Sequence, residues 1–102
     1  MSLQINIDSD SVTIVVDTML MPGEPYFKEF ENLSSKICDF DSQVVKIDLL
    51  QCKYMDTRAI SVILEINGVL KKAGKVLKLV NVNEEISDLL RTIKLNKIIE
   101  LS

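Results

Sequence analysis

The chain has 102 residues, 47% of them hydrophobic and 26% charged, and a net charge of −3 at pH 7. That is enough for one domain over residues 1–102 burying about two-thirds of its unfolded surface, and Val, Ile and Leu are too frequent for disorder. Lys and Arg are scattered, so no direct nucleic-acid contact is expected; no apolar run is long enough for membrane insertion; and MSLQINIDSD lacks the core of a signal peptide, which points to the cytoplasm.

Leu3 to Ile7 alternates apolar and polar residues, and Val12 to Val16 is β-branched, so both are expected to be strands, paired across the turn-like DSDS of residues 8–11. Pro22-Gly23-Glu24-Pro25 is the strongest break in the chain. After it, Tyr26, Phe30, Leu33 and Ile37 recur at helical spacing, which predicts an amphipathic helix ending near Asp39. Val44 to Leu49 is predicted to be a strand covered on both faces, because it shows little alternation. Ala59 to Ala73 has helical periodicity. Its polar positions, Arg58, Ser61, Glu65 and Lys72, fall with Gly68 on one narrow stripe, so the remainder is expected to be covered on most sides. Gly74 is placed to end this helix. Lys75 to Val82 reads as a strand. Asn83 is a suitable N-cap for a helix with Glu84 and Glu85 in its first turn and Ile86, Leu89, Leu90 and Ile93 on its buried stripe. Lys97 to Leu101 reads as a last short strand. The order β-β-α-β-α-β-α-β implies an α/β domain with a small, mostly parallel sheet of four to five strands and three to four helices.

Enzyme signatures are mostly absent. The sequence has no phosphate-binding glycine loop, no nucleophile elbow and no acidic cluster at metal-ligand spacing. It has no histidine, which removes the commonest general base and metal ligand. No catalytic residue, metal site or cofactor is expected. Cys38 and Cys52 stand in no metal or redox spacing and read as reduced packing residues. Glu84-Glu85 and the Asp8/Asp10 pair read as solvated surface.

One polar trio stands out: Asp56-Thr57-Arg58, at the mouth of the most apolar helix. Asp and Thr are both good helix caps, and capping alone accounts for them. A hydroxyl in the first turn is also a reasonable phosphate acceptor, because the free N–H groups and the positive end of the helix dipole tolerate an anion there. The two roles are compatible.

The run VVKIDLLQCKYMDTRAISVILEINGVLKKAGKVLKLVNVNEEISDLLRTIKLNKIIEL, Val44 to Leu101, resembles a STAS domain, the fold of bacterial anti-sigma factor antagonists; the first third resembles it loosely. The motif stands as Tyr54-Met55-Asp56-Thr57-Arg58-Ala59-Ile60. The resemblance implies a partner-switching regulator. It binds an anti-sigma factor that is also a serine/threonine kinase, is phosphorylated by it and released, and is restored by a phosphatase. Thr57 is the implied acceptor and Asp56 the acid beside it, with ATP belonging to the kinase.

Three departures from the family pattern stand out: Thr57 replaces the frequent serine, Arg58 a small residue, and DTMLMPGE an expected Gly-x-Leu/Ile-Asp turn. One acidic neighbour is lost and one basic neighbour gained, which is expected to favour phosphate. Arg58 is read as pairing with phospho-Thr57, contacting an acidic partner, or lying solvated. The implied partner surface comprises Asp56, Arg58, Ser61 and Glu65, with Met19 and Met21 on the loop before the first helix; those methionines are equally suited to the core. The resemblance also admits an accessory subunit of an ABC (phospholipid) transporter or a stressosome-type scaffold.

Overall fold

The computed structural model describes residues 3–17, 23, 27–37 and 40–101. The elements are β1 (Gln4–Ile7), β2 (Ser11–Val15), α1 (Phe27–Lys36), β3 (Val44–Asp48), α2 (Thr57–Lys72), β4 (Val76–Val80), α3 (Glu84–Thr92) and β5 (Glu100–Leu101), with a short 3-10 helix, Leu95–Lys97, before β5. The five strands lie side by side in chain order. β1 runs antiparallel to β2, and every later neighbour is parallel. The order of elements is the one expected, and the β1–β2 turn closes with the Asp8 N–H donating to the Ser11 carbonyl at 2.8 Å.

Chain-order strands dictate where the helices go. The crossovers through α1, α2 and α3 all step in one direction, and crossovers between parallel strands are right-handed in nearly all proteins, so the three helices share one face of the sheet. Burial agrees. Val12, Val45 and Leu77 align in register, as do Ile14, Ile47 and Leu79, and all six are buried in one apolar cluster with Phe30, Ile63, Ile66 and Leu90. On the opposite face Thr13, Lys46 and Lys78 align and remain half-buried.

This corrects the expectation for β3, which alternates half-buried and buried rather than being covered on both faces. It corrects the expectation for α2 as well. Ala59, Val62, Ile63, Ile66 and Leu70 are buried, but Leu64 is 39% exposed: α2 lies on the sheet with α1 at its flank, and its outer face is open.

The ends follow their local chemistry. Gly74, at φ +76°, closes α2 with its N–H donating to the Lys71 carbonyl and that of Lys75 to Leu70, a Schellman pair that the left-handed glycine permits. Asn83 caps α3 as expected, its Oδ1 accepting from the Ile86 N–H at 3.0 Å. Ile93, expected on the buried stripe of α3, is exposed, because the helix ends at Thr92 and the chain turns at Lys94 with φ 64°. That turn and the 3-10 helix take up most of the expected Lys97–Leu101 strand. Ile98 is left 61% exposed, and only Glu100 and Leu101 pair with β4.

One-sided burial has a direct test by urea unfolding. Ile47→Ala is expected to cost about 2–5 kcal/mol. Lys46→Ala, one residue away on the open face, is expected to change stability by less than about 1 kcal/mol. Similar losses at both would contradict a sheet covered on one face.

Candidate functional site

The loop from β3 to α2 leaves the carboxyl end of the parallel strands, where α/β sheets place their functional loops. It is held by short polar side chains. Asp48 accepts from the Leu50 N–H at 3.0 Å through Oδ1 and from Asn81 Nδ2 at 2.9 Å through Oδ2. Asn81 itself sits at φ 53°, a left-handed conformation that asparagine tolerates. Asn83 Nδ2 donates to the Leu49 carbonyl at 3.1 Å and the Cys52 carbonyl at 2.7 Å, while its Oδ1 caps α3. One amide therefore joins the start of α3 to the loop that delivers α2. Cys52 is buried as a thiol whose Sγ donates to the Tyr54 carbonyl at 3.3 Å, and Met55 is buried behind it; Cys38 lies outside the described residues.

At the mouth of α2 the capping role falls to Asp56. Its backbone is extended, its Oδ1 accepts from the Ala59 N–H at 3.0 Å, and its carbonyl accepts from the Ile60 N–H at 3.1 Å. Thr57 is the first residue of the helix. Its side chain is exposed, and its hydroxyl makes no hydrogen bond with another described residue. Asp56 caps, and Thr57 is presented to solvent. Ser61 turns its hydroxyl back to donate to the Thr57 carbonyl at 3.1 Å, so it serves the helix backbone although it is exposed.

Arg58 is engaged. Its Nε and Nη2 both donate to Oε2 of Glu31 on α1, at 3.0 and 2.6 Å. Its side chain is 64% exposed and that of Glu31 28%. The hydrogen bond donated to Glu31, then the charge of Glu31, hold the guanidinium above its ordinary pKa, and Glu65 and Asp56 add to this. The basic neighbour gained at the motif is thus matched by a carboxylate from another helix, and the surroundings of the guanidinium are acidic.

Between α1 and α2 lies an open groove of about 420 Å³ lined by Glu31, Asn32, Arg58, Ser61, Val62 and Glu65. It brings together three of the residues anticipated for partner binding, Arg58, Ser61 and Glu65, with Asp56 and Thr57 at the end of α2 from which Arg58 projects. Met19 and Met21, and Tyr26 with them, lie outside the described residues. Sequence reasoning missed Glu31 and the second role of Asn83. Glu31 is 27 positions from Arg58, and nothing local marks it; Asn83 announces its cap through the acidic first turn after it, but not the carbonyls it reaches. Among the described residues no group of three His, Cys, Asp or Glu is arranged to hold a metal, and no helix is long and apolar enough to cross a membrane.

Comparison with known proteins gives one consistent result. The STAS domain family model matches residues 24–102. The structure is similar to that of a candidate anti-sigma factor antagonist from Thermotoga maritima, with TM-score 0.80 and 18% identity over 97% of this chain and 84% of that one. It is similar to the anti-sigma factor antagonist SpoIIAA in its unphosphorylated form, with TM-score 0.76 and 13% identity over 98% and 87% of the two chains. The phosphorylated form of SpoIIAA from Bacillus gives TM-score 0.70 at 13% identity, over 98% and 90%. No curated protein matches at a significant level. The family match begins after β1 and β2, in line with the loose resemblance of the first third.

Removing the Asn83 side chain takes away one cap and two donors to loop carbonyls. Asn83→Ala is expected to destabilise the protein by about 2–3 kcal/mol, about one of them from the cap. Hydrogen exchange is expected to quicken in residues 50–55 as well as in α3; protection lost in α3 alone would show that the amide does not hold the loop.

Proposed function

The chain belongs to the STAS domain family, and from that premise we propose that it is an anti-sigma factor antagonist regulated by phosphorylation of Thr57. In this reading it is a single-domain binding module, not an enzyme, and it works in the cytoplasm. Its unphosphorylated form binds an anti-sigma factor that is also a serine/threonine kinase. The kinase transfers the γ-phosphoryl group of ATP to Thr57 Oγ1, releasing ADP, and the complex dissociates. A phosphatase hydrolyses the phosphate and restores binding.

The observation that carries this reading is the placement of Thr57. The side chain is exposed at the first position of a sixteen-residue helix, on a loop tied down by Asp48, Asn83 and buried Met55. An incoming active site can therefore reach the hydroxyl without unfolding the domain. A phosphate there is locally tolerated, because it sits at the positive end of the helix dipole. At longer range it is unwelcome. It adds up to two negative charges to a surface that already holds Asp56, Glu31 and Glu65 around one guanidinium. A partner fitted to the unmodified face then has to bury that charge or leave.

The partner surface in this reading is the outer face of α2, Arg58, Ser61 and Glu65, with Asp56 and Thr57 at its head; Met19 and Met21, anticipated with them, lie outside the described residues. The loop that delivers Thr57 also exposes two large apolar side chains, Leu50 and Tyr54. Neither was anticipated as a contact.

Incubation with the cognate anti-sigma kinase and ATP, followed by mass spectrometry, is expected to place one phosphate on Thr57. Thr57→Ala is expected to bind that partner within about threefold of wild type, and Thr57→Glu at least about tenfold more weakly, a change of about 1.4 kcal/mol. Failure to modify Thr57 while a control antagonist is phosphorylated would sink the proposal, as would full affinity in the Glu variant with the Ala variant impaired.

A further inference from the structure

We propose that Arg58 is an exchangeable cation, held by Glu31 in the unmodified protein and drawn to the phosphate when Thr57 is phosphorylated. The inference rests on the reading of Thr57 as the acceptor and concerns what the phosphate does within the chain that carries it.

Three observations support the exchange. Arg58 directly follows Thr57, at the second position of α2, and its side chain is 64% exposed, so the guanidinium has room to swing. It is committed to a single carboxylate oxygen, with Nε and Nη2 both donating to Glu31 Oε2, and not to the two-oxygen fork that a guanidinium prefers. Its other charged neighbours are acidic: Glu65 and Asp56 both act on it, and neither competes for an anion. A phosphate on Thr57 offers three acceptor oxygens and up to two charges against one on Glu31. Consecutive helix positions diverge, so the guanidinium that turns toward position 57 gives up its two-donor contact with α1.

The exchange alters the groove as well as its end. Arg58 now bridges α1 and α2 across the groove wall that Glu31, Asn32 and Glu65 line. Once it leaves, the groove wall loses its guanidinium while Glu31 and Glu65 remain on its lining. The apolar contact of α1 with the core through Phe27, Phe30 and Leu33 is untouched, so the helix stays in place. Phosphorylation of one residue thus removes a positive charge from the groove between the two helices as well as adding negative charge at its end.

The test needs neither kinase nor partner. Phosphothreonine is installed at position 57 during synthesis, and the Arg58 Nε–H resonance is followed by NMR in the unmodified and phosphorylated proteins, each with and without Glu31→Gln. In the unmodified protein Glu31→Gln is expected to move the signal. With the phosphate dianionic, the same substitution is expected to leave it in place. By phosphorus NMR, the second phosphate ionisation, ordinarily about 6, is expected about half a unit lower in the protein that keeps Arg58 than in Arg58→Gln. A signal that answers to Glu31→Gln equally in both forms overturns the proposal, as does an ionisation that Arg58→Gln does not move. Either result leaves the partner-switching reading standing, and a positive result does not depend on any kinase modifying Thr57.

Discussion

Strands laid side by side in chain order, joined by crossovers of one hand, govern the rest of this molecule. That constraint places α1, α2 and α3 on one face of the sheet. It explains why Val45 and Ile47 are buried while Lys46 between them is not. It also lines up the ends of β2, β3 and β4 along one edge, so that their outgoing loops become neighbours. Residues far apart in sequence, Asp48 with Asn81 and Asn83 with Cys52, meet there for that reason.

That edge is held by small polar side chains as well as by apolar packing. A loop leaving a parallel sheet carries backbone groups that no ladder satisfies, and these have to be paired. Asn83 pairs three of them with one amide, two carbonyls through its Nδ2 and one N–H through its Oδ1. Asp48 pairs a fourth and anchors Asn81. With Met55 and Cys52 buried beneath, α2 starts at a fixed place, and the Thr57 side chain is presented to solvent on a fixed mount. Under the proposed function such a mount serves better than a mobile loop, because the same surface would have to fit its partner in one state and fail to fit it in the other.

Charge at the mouth of α2 is finely divided. The helix N-terminus favours an anion. The carboxylates nearby do not: in the unmodified protein Arg58 is held by Glu31, and Glu65 and Asp56 also act on the guanidinium. In the proposed reading, a phosphate at Thr57 is tolerated on its own chain and disfavoured in a complex. Local tolerance combined with repulsion at the surface is what separates a reversible mark from a destabilising one.

Much of this was legible in the sequence, and the division has a physical cause. The order of elements, the amphipathic stripes of α1 and α3, a cap at Asp56 or Thr57, the ends at Asn83 and Gly74 and the exposed stripe of Arg58, Ser61 and Glu65 all depend on residues within a few positions of one another. Periodicity and turn chemistry report such dependence directly. The errors lie where burial is set at a distance. Val44–Leu49 reads as a strand covered on both faces because apolar residues predominate, yet only the strand order decides that one face is covered. Ile93 reads as buried because it is in phase with Ile86 and Leu90, and Leu64 because it falls outside the polar stripe of an otherwise apolar helix, yet Leu64 is exposed on α2 and Ile93 lies beyond the end of α3. The last strand shortens because Lys94 turns the chain, which its residue type does not announce. Arg58 shows the division most clearly: its place beside Thr57 is a local fact. Its partner, Glu31, is brought to it by the packing of α1 on α2, 27 residues away in sequence, and only the tertiary structure could decide that.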